Sequence, residues 1–162
     1  MGEFKDNIPN GNGIKYYPNG NILYEGYFVN GKFEGKGKYI YDDGEYFIGE
    51  YKNGLRNGKG ILYYRNGNIM LEGEYINGLL EGKWKIIFED DKYYIGEYKN
   101  GLRNGKGVFY YSNGSIMYDG EFVNDHFEGK GKYIYEDGNY YIGHWKNNLK
   151  MEKEYYIIQM EK

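Results

Sequence analysis

Large apolar residues and glycines alternate with polar residues along most of the chain. In the segment "YIGEYKNGLRNGKGVFY" at 94–110, Tyr94, Gly96 and Tyr98 fall on one set of alternate positions, and Ile95 and Glu97 fall on the other. Successive side chains of a β-strand point to opposite faces of a sheet, so a period of two predicts strands. The pattern therefore predicts an all-β chain in which one face holds the rings and glycines.

The same pattern recurs seven times. The central Gly of "Y-x-G-E-Y", here called the anchor Gly, recurs at steps that alternate between 24 and 23 residues. The anchors are Gly2, Gly26, Gly49, Gly73, Gly96, Gly120 and Gly143. The true period is therefore 47, which explains why "GEYKNGLRNGKG" stands at both 49–60 and 96–107. We predict one array of repeats, at about 1–23, 24–46, 47–70, 71–93, 94–117, 118–140 and 141–162.

Asn-Gly and Asp-Gly pairs between apolar runs predict the hairpin turns. The pairs are Asn66-Gly67, Asn113-Gly114, Asp43-Gly44 and Asp137-Gly138. Both central residues of a type I′ turn have positive φ, which these residues tolerate, so type I′ turns are predicted. The longer repeats carry their extra residue just after this turn, which predicts a β-bulge. The last repeat has Glu152 and Glu154 in place of glycines and is predicted to be a degenerate cap.

Positions that vary together from repeat to repeat predict which residues face each other across strands. The residue directly before the anchor varies together with the residue twelve positions after the anchor. Where the first is acidic, the second is Lys, and where the first is Ile, the second is apolar. This register pairs Glu25 with Lys38, Ile48 with Ile61, Ile95 with Val108 and Asp119 with Lys132. Extended further, it predicts the pairs Glu50–Lys59, Glu74–Lys83, Glu97–Lys106, Glu121–Lys130, Tyr51–Gly58 and Tyr98–Gly105. The predicted fold is a single-layer, elongated, twisted antiparallel sheet of consecutive β-hairpins.

Glycine is predicted to leave space for rings that lie across the sheet. Gly60 and Gly107 are therefore expected to have no room for a side chain. Trp84 occupies the equivalent position of another repeat, where we expect the ring face to be filled or bent.

Composition and charge narrow the classes of protein. The chain has 162 residues, 27 Gly, 23 Tyr and no Cys, and disordered chains are poor in aromatic residues. A net charge of −3 does not favour nucleic acid, and no nucleic-acid partner is predicted. No apolar run approaches a membrane span of about 20 residues, and the N-terminus lacks the apolar core of a signal peptide. We predict a soluble, cytoplasmic protein.

No group of residues predicts catalysis, a metal site or a cofactor. The segment "GLRNGKG" at 54–60 has one residue too few between its glycines for a phosphate-binding loop, and it ends in Gly instead of Ser or Thr. His126 and His144, the two histidines, have no Cys or Ser partner arranged beside them and are expected at the surface. A non-enzyme is predicted.

The segments "YIGEYKNGLRNGKGVFYYSNG" at 94–114 and "YYRNGNIMLEGEYINGLLEGKWK" at 63–85 resemble MORN repeats. The family pattern is close to Tyr-x-Gly-x-[Trp/Tyr]-x-x-Gly-x-x-x-Gly-x-Gly-x-[Tyr/Phe]. The resemblance covers essentially the whole chain and departs from the pattern at Trp84, at Asp125 and in the last repeat. It implies a non-catalytic scaffold or adaptor that binds a protein or peptide segment, at a cytoskeletal or membrane-adjacent assembly. Anionic phospholipid is the alternative partner.

Two surfaces are candidate binding sites. The first is an aromatic groove on the ring face, formed by Tyr51, Tyr75, Tyr98, Phe122 and Trp145. The second is an apolar stripe on the opposite face, formed by Tyr63, Ile87, Tyr110 and Ile134, for a partner or a second copy of the chain. The pattern leaves open whether the rings simply form the core and whether the stripe packs between Lys and Glu side chains.

Overall fold

The computed structural model describes residues 1–151, and within them it contains strands and turns but no helix. The chain divides into two compact halves, an N-terminal half of Met1–Leu79 and a C-terminal half that starts at Leu80. Both halves are built from consecutive hairpins. The predicted cap with Glu152 and Glu154 lies outside the described residues.

Consecutive strands pair antiparallel within each half. The N-terminal half contains β1 (Gly2–Lys5), β2 (Ile8–Tyr16), β3 (Ile22–Val29), β4 (Lys32–Ile40), β5 (Tyr46–Lys52), β6 (Leu55–Tyr63) and β7 (Ile69–Ile76). The C-terminal half contains β8 (Leu79–Ile87), which starts one residue earlier, β9 (Tyr93–Lys99), β10 (Leu102–Tyr110), β11 (Ile116–Val123), β12 (His126–Ile134), β13 (Tyr140–Lys146) and β14 (Leu149–Lys150). The predicted all-β fold of consecutive antiparallel hairpins is confirmed.

The predicted register is confirmed around the anchor glycines. The pairs observed there are Glu25 with Lys38, Ile48 with Ile61, Ile95 with Val108 and Asp119 with Lys132. The predicted bulge after the Asn-Gly turns of the longer repeats is also confirmed. Leu62 pairs with Leu71 while Tyr63 pairs with Ile69, so Met70 is the extra residue between them.

Farther from the anchors the predicted register is wrong in the β5–β6, β9–β10 and β11–β12 hairpins, because a second bulge interrupts each of these pairings. The predicted pair of Glu74 with Lys83 stays a prediction. Gly58 and Gly105 have φ angles of 106° and 102°, a conformation that favours glycine and lets the strand bulge. Tyr51 therefore pairs with Arg56 instead of Gly58. In the same way, Tyr98 pairs with Arg103 instead of Gly105, and Glu121 pairs with Glu128 instead of Lys130. Toward the neighbouring hairpins, the pairs are Gly58 with Tyr75, Gly105 with Phe122, Lys36 with Glu50, Lys59 with Glu74, Lys83 with Glu97, Lys106 with Glu121, and Lys130 with His144.

The turns are of two kinds, and the type I′ prediction is wrong at the four named pairs. At Asn66-Gly67 only the glycine has positive φ, and Gly67 N–H donates to the carbonyl of Tyr64. Asn66 Oδ1 accepts the Asn68 N–H at 2.9 Å, which holds a three-residue loop with a left-handed Gly at its end. The same arrangement occurs at Asp43-Gly44, Asn113-Gly114 and Asp137-Gly138.

Two consecutive positive φ angles occur at the other set of turns. Asn53 and Gly54 have φ of 52° and 84°, and Asn100 and Gly101 have φ of 53° and 80°. This is the geometry of type I′ turns. Asn-Gly pairs thus serve both kinds of turn, and the length of the loop decides which one forms.

Side chains tie several type I′ turns to the hairpin before them. A Glu serves in alternate repeats: Glu34 accepts the Asn53 N–H at 2.9 Å, and Glu81 accepts the Asn100 N–H at 2.7 Å. In the repeat between, Asn57 accepts the Asn77 N–H at 3.2 Å. These bonds connect successive hairpins at the end of the strands where the bulges weaken backbone pairing.

Rings lie across the glycines and form the core. A Cβ on Gly60 would overlap the Phe47 ring, and one on Gly107 would overlap the Tyr94 ring, so the prediction for both glycines is confirmed. The Trp84 ring is 1 % exposed and fills its own position, with Nε1 donating to the Glu81 carbonyl at 2.9 Å. In each half the core is thus a row of rings on one face, here called the front face.

Candidate interaction surfaces

The five residues predicted to form the groove belong to the core of the front face. Tyr51, Tyr75, Tyr98, Phe122 and Trp145 are each no more than 8 % exposed. They pack edge to face against neighbouring rings, with centres 5.6 Å apart for Tyr51 and Phe47 and 5.2 Å apart for Trp145 and Tyr141. Burying a large apolar side chain stabilises a fold by about 1.5–3 kcal/mol. Contact of a partner with these five residues stays a prediction.

Burial also changes the titration of the core tyrosines. It is the largest cause that raises the pKa of Tyr24 and of Tyr98 to about 12, from 10.0. Burial likewise raises the pKa of Tyr51, Tyr94 and Tyr118. Tyr51 Oη has no hydrogen-bond partner within residues 1–151. These hydroxyls stay protonated at neutral pH.

A second row of rings on the front face is only partly covered. These outer rings are Tyr39 and Tyr41 in the N-terminal half, and Phe88, Phe109, Tyr133 and Tyr135 in the C-terminal half. Tyr39 and Tyr41 lie 4.9 Å apart, and so do Tyr133 and Tyr135. Phe88 is 39 % exposed and stacks on Phe109. The outer rings give each half an accessible aromatic surface.

A partly buried arginine lies among the rings of the N-terminal half. The Arg56 guanidinium carbon is 4.2 Å from the centre of the Phe47 ring, 5.4 Å from Tyr75 and 5.6 Å from Tyr41. Its Nη1 donates to Tyr75 Oη at 3.4 Å. Both ion pairs found within residues 1–151 join other side chains, so no carboxylate of the described chain lies within 4.0 Å of Arg56.

The equivalent arginine of the C-terminal half has a carboxylate partner. Arg103 Nε and the Arg103 backbone N–H both donate to Asp125 Oδ1 at 2.9 Å, and Nη2 donates to the Asp125 carbonyl at 3.1 Å. The guanidinium carbon lies 5.0–5.8 Å from the rings of Phe109, Phe122 and Tyr94. Desolvation is the largest single effect on the pKa of the Asp125 carboxyl, and it raises this pKa. The hydrogen bonds that Arg103 donates and the charge of Arg103 together outweigh desolvation, so the pKa is lowered.

The face of each half opposite its front face is here called the back face. The four residues predicted to form the stripe lie on the back face of their own half, and all four are partly exposed. Tyr63 stacks on Tyr46 with ring centres 4.8 Å apart, and Tyr110 stacks on Tyr93 at 4.4 Å. Ile87 pairs with Tyr93 across strands, and Ile134 pairs with Tyr140. Lys132 Nζ lies 4.4 Å from the Tyr140 ring and covers part of it. Contact of a partner with this stripe also stays a prediction.

Charged residues of opposite sign face each other elsewhere on the back face. The pairs include Lys36 with Glu50, Lys83 with Glu97, and Lys106 with Glu121. Exposed aliphatic residues stand between them, for example Ile48 at 45 % and Ile76 at 52 % exposed. The back face is therefore a surface of nearly balanced charge with scattered apolar residues.

The arginines were not among the predicted site residues, although the sequence carries a signal for them. The seventh residue after the anchor is apolar in the shorter repeats, namely Phe33, Leu80 and Phe127, and it is Pro9 in the first repeat. It is cationic in the repeats that follow the first at multiples of 47 residues, namely Arg56, Arg103 and Lys150. A cation that returns every 47 residues within a row of rings marks a position with a shared role.

Within residues 1–151 there is no cluster of three metal-binding side chains and no helix able to span a membrane. Comparison of the chain with curated proteins gave no match. A family model described as the MORN repeat matches residues 1–22, 24–46, 47–69, 72–83, 94–116, 118–140 and 141–153. MORN repeats are generally non-catalytic motifs of interaction with proteins or membranes. Because the matched segments cover most of the chain, this protein belongs to the MORN repeat family.

Proposed function

We propose that the protein is a scaffold or adaptor without catalytic activity, and that the outer rings on the front face within a half bind a segment of a partner protein. The observation that supports this function is the partial exposure of Tyr39, Tyr41, Tyr133 and Tyr135 beside a row of buried rings. Tyrosine often carries binding energy at protein interfaces. An open row of rings suits an extended or helical segment, whereas a small molecule prefers an enclosed pocket.

The charge distribution favours a protein partner over an anionic membrane. Electrostatic attraction to such a membrane is worth about 1 kcal/mol per basic residue near the surface. The lysines of the back face are opposed by acids, as in Lys83 with Glu97, and the net charge of the chain is −3. We therefore propose a cytoplasmic protein at a cytoskeletal or membrane-adjacent assembly, where it contacts protein instead of lipid.

A displayed library of random peptides tests this function. Peptides on the order of 15 residues are long enough, when extended, to cross several strands at about 4.8 Å spacing. The library is panned on the wild-type protein, on a front-face variant with Tyr41→Ser and Tyr135→Ser, and on a back-face variant with Tyr63→Ser and Tyr110→Ser. The two variants are matched because each removes two partly exposed tyrosines. Circular dichroism checks that each variant keeps its β-sheet signal.

We expect the wild type and the back-face variant to enrich the same peptides and the front-face variant to lose them. Loss of binding in the back-face variant alone would contradict the proposal and make the stripe the working surface. Self-association of the wild type that the back-face variant abolishes, without any enriched peptide, would assign the stripe to a second copy of the chain. Salt-sensitive pelleting with phosphatidylserine vesicles, again without enriched peptides, would favour the lipid alternative.

A further inference from the structure

We propose that Arg56 binds a carboxylate supplied by the partner, at the place that Asp125 occupies beside Arg103. The partner segment would therefore be acidic at one position. This inference rests on the proposed binding of a protein segment to the front face, and it adds the chemistry that the segment must carry.

The two arginine sites are equivalent within the 47-residue period. Gly78 N–H donates to the Arg56 carbonyl at 2.8 Å, and Asp125 N–H donates to the Arg103 carbonyl at 3.0 Å. Gly78 and Asp125 are therefore the same turn residue in two copies of one structure. Only the C-terminal copy carries a carboxylate there.

The C-terminal copy shows what this position accepts. Asp125 Oδ1 receives two hydrogen bonds from Arg103, one from the side chain and one from the backbone, both at 2.9 Å. Hydrogen bonds between a guanidinium and a carboxylate are among the stronger ones in proteins, and their planar geometry gives specificity. The surroundings of this arginine are thus able to place a carboxylate between its side chain and its own backbone N–H.

The N-terminal copy leaves the cation without this partner. The Arg56 guanidinium lies over the Phe47 and Tyr75 rings and donates to the neutral Tyr75 hydroxyl. A guanidinium has five N–H donors, and a partly buried cation gains from an acceptor of opposite charge. Residues 1–151 place no carboxylate within 4.0 Å of it. A carboxylate is therefore the group that best completes this site.

Gly78 keeps the place of the missing carboxylate open. A Cβ at Gly78 would meet only Leu55 Cδ2, at 3.9 Å, which is ordinary contact. Its φ of 85° lies near the 68° of Asp125, so Asp and Asn are tolerated at this turn position. Gly78→Asp should therefore supply an internal carboxylate and block the site, while Gly78→Asn serves as a control of the same shape without the charge.

The test pans the random peptide library on four proteins: wild type, Gly78→Asp, Gly78→Asn and Arg56→Gln. The measurement is the frequency of Asp and Glu in the enriched peptides relative to the input library. We expect enrichment of at least about twofold with the wild type and Gly78→Asn, and none with Gly78→Asp or Arg56→Gln. A synthetic peptide from the wild-type pool should lose roughly tenfold in affinity for Gly78→Asp, in line with one charge-assisted bond.

The same library separates this inference from the proposed function. Enriched peptides with an equal acid content on all four proteins would overturn the carboxylate site and leave the binding function in place. No enriched peptides from the wild type would overturn both. Binding of the wild type to phosphatidylinositol phosphate vesicles that Gly78→Asp abolishes, without acidic peptides, would assign Arg56 to a lipid phosphate and overturn the inference.

A gain of function provides a second measurement. Asp125→Gly makes the Arg103 site resemble the Arg56 site. The variant should therefore bind an acidic peptide of the wild-type pool at two independent sites. Isothermal titration should then give a stoichiometry near two in place of one. A stoichiometry that stays at one, with the fold intact, would contradict the equivalence of the two sites.

Discussion

The glycines beneath rings are the positions of this protein with little room for an added side-chain atom. Gly107 lies beneath the Tyr94 ring, whereas the neighbouring Lys106 points to the back face and is exposed. A side chain at Gly107 must displace the ring or the strand, because the core is a single row of rings with close contacts.

We predict that Gly107→Val destabilises the protein by about 1–3 kcal/mol more than Lys106→Val does. The two substitutions introduce the same side chain at neighbouring strand residues. Replacing Gly gains at least as much intrinsic β-propensity as replacing Lys, so propensity does not account for the predicted difference. Urea denaturation followed by circular dichroism measures the difference. Equal midpoints for the two variants would show that the ring above Gly107 moves away without cost.

The hydroxyl of Tyr51 is a second feature at this scale. It is buried without a hydrogen-bond partner within residues 1–151, which costs free energy. Phe28 and Phe122 occupy the equivalent position in other repeats, so this site accepts a ring without a hydroxyl.

Tyr51→Phe is therefore expected to stabilise the fold by about 1 kcal/mol. Tyr75→Phe is the control, because the Tyr75 hydroxyl accepts a hydrogen bond from Arg56 and its loss brings no such gain. Thermal unfolding of both variants measures the effect. A melting temperature for Tyr51→Phe below that of the wild type would indicate a partner for this hydroxyl, such as water.

Hairpins are the elements of this fold, and their ends are connected by side chains as well as by strands. Glu34 accepts the Asn53 N–H, and Asn57 performs the same role for the next turn. A side-chain amide oxygen is thus able to replace the carboxylate at this position.

Glu34→Ala should destabilise the protein by about 0.5–1.5 kcal/mol, the usual net contribution of one hydrogen bond. Glu34→Gln should keep most of this stability, since its amide oxygen accepts the same N–H. Hydrogen exchange of the Asn53 amide gives a local measurement. Similar exchange rates in the two variants would mean that the bond does not hold the turn.

At the scale of the whole molecule, buried tyrosines link stability to pH. The pKa of Tyr24 and of Tyr98 is about 12 in the folded protein, above the value of 10.0 of an exposed tyrosine. Between these values the unfolded chain loses its protons and the folded chain keeps them. The free energy of unfolding therefore falls as pH rises from about 10 to 12.

We predict that the protein unfolds cooperatively in this alkaline range, with tyrosinate absorbance rising as the β-sheet signal disappears. Tyr24→Phe is expected to reduce the sensitivity to pH, and Phe47 in the equivalent position of the next repeat shows that a phenylalanine fits there. Thermal melts at pH 7 and pH 11 measure the effect. A melting temperature that is the same at both values would contradict the prediction.

The sequence by itself determined the fold class, the repeat and the register at the anchors. Cross-strand neighbours vary together, as Glu25 does with Lys38, because direct opposition makes their side chains interact. The lack of room for a side chain at Gly60 and Gly107 was also predictable, since a strand glycine in a row of rings leaves space for a ring that lies across it. Seven copies in one chain made these patterns visible without any relative.

Only the tertiary structure decided where the register shifts and which residues meet at the surface. The bulge at Gly58 depends on a left-handed φ that an alternating pattern does not encode, and it moves Tyr51 from Gly58 to Arg56. Burial of Tyr75 and partial exposure of Tyr41 depend on how rings from several strands cover one another. The contrast between Arg56 and Arg103 likewise appears only when Gly78 and Asp125 are seen in the same turn position, each 22 residues along the chain from its arginine.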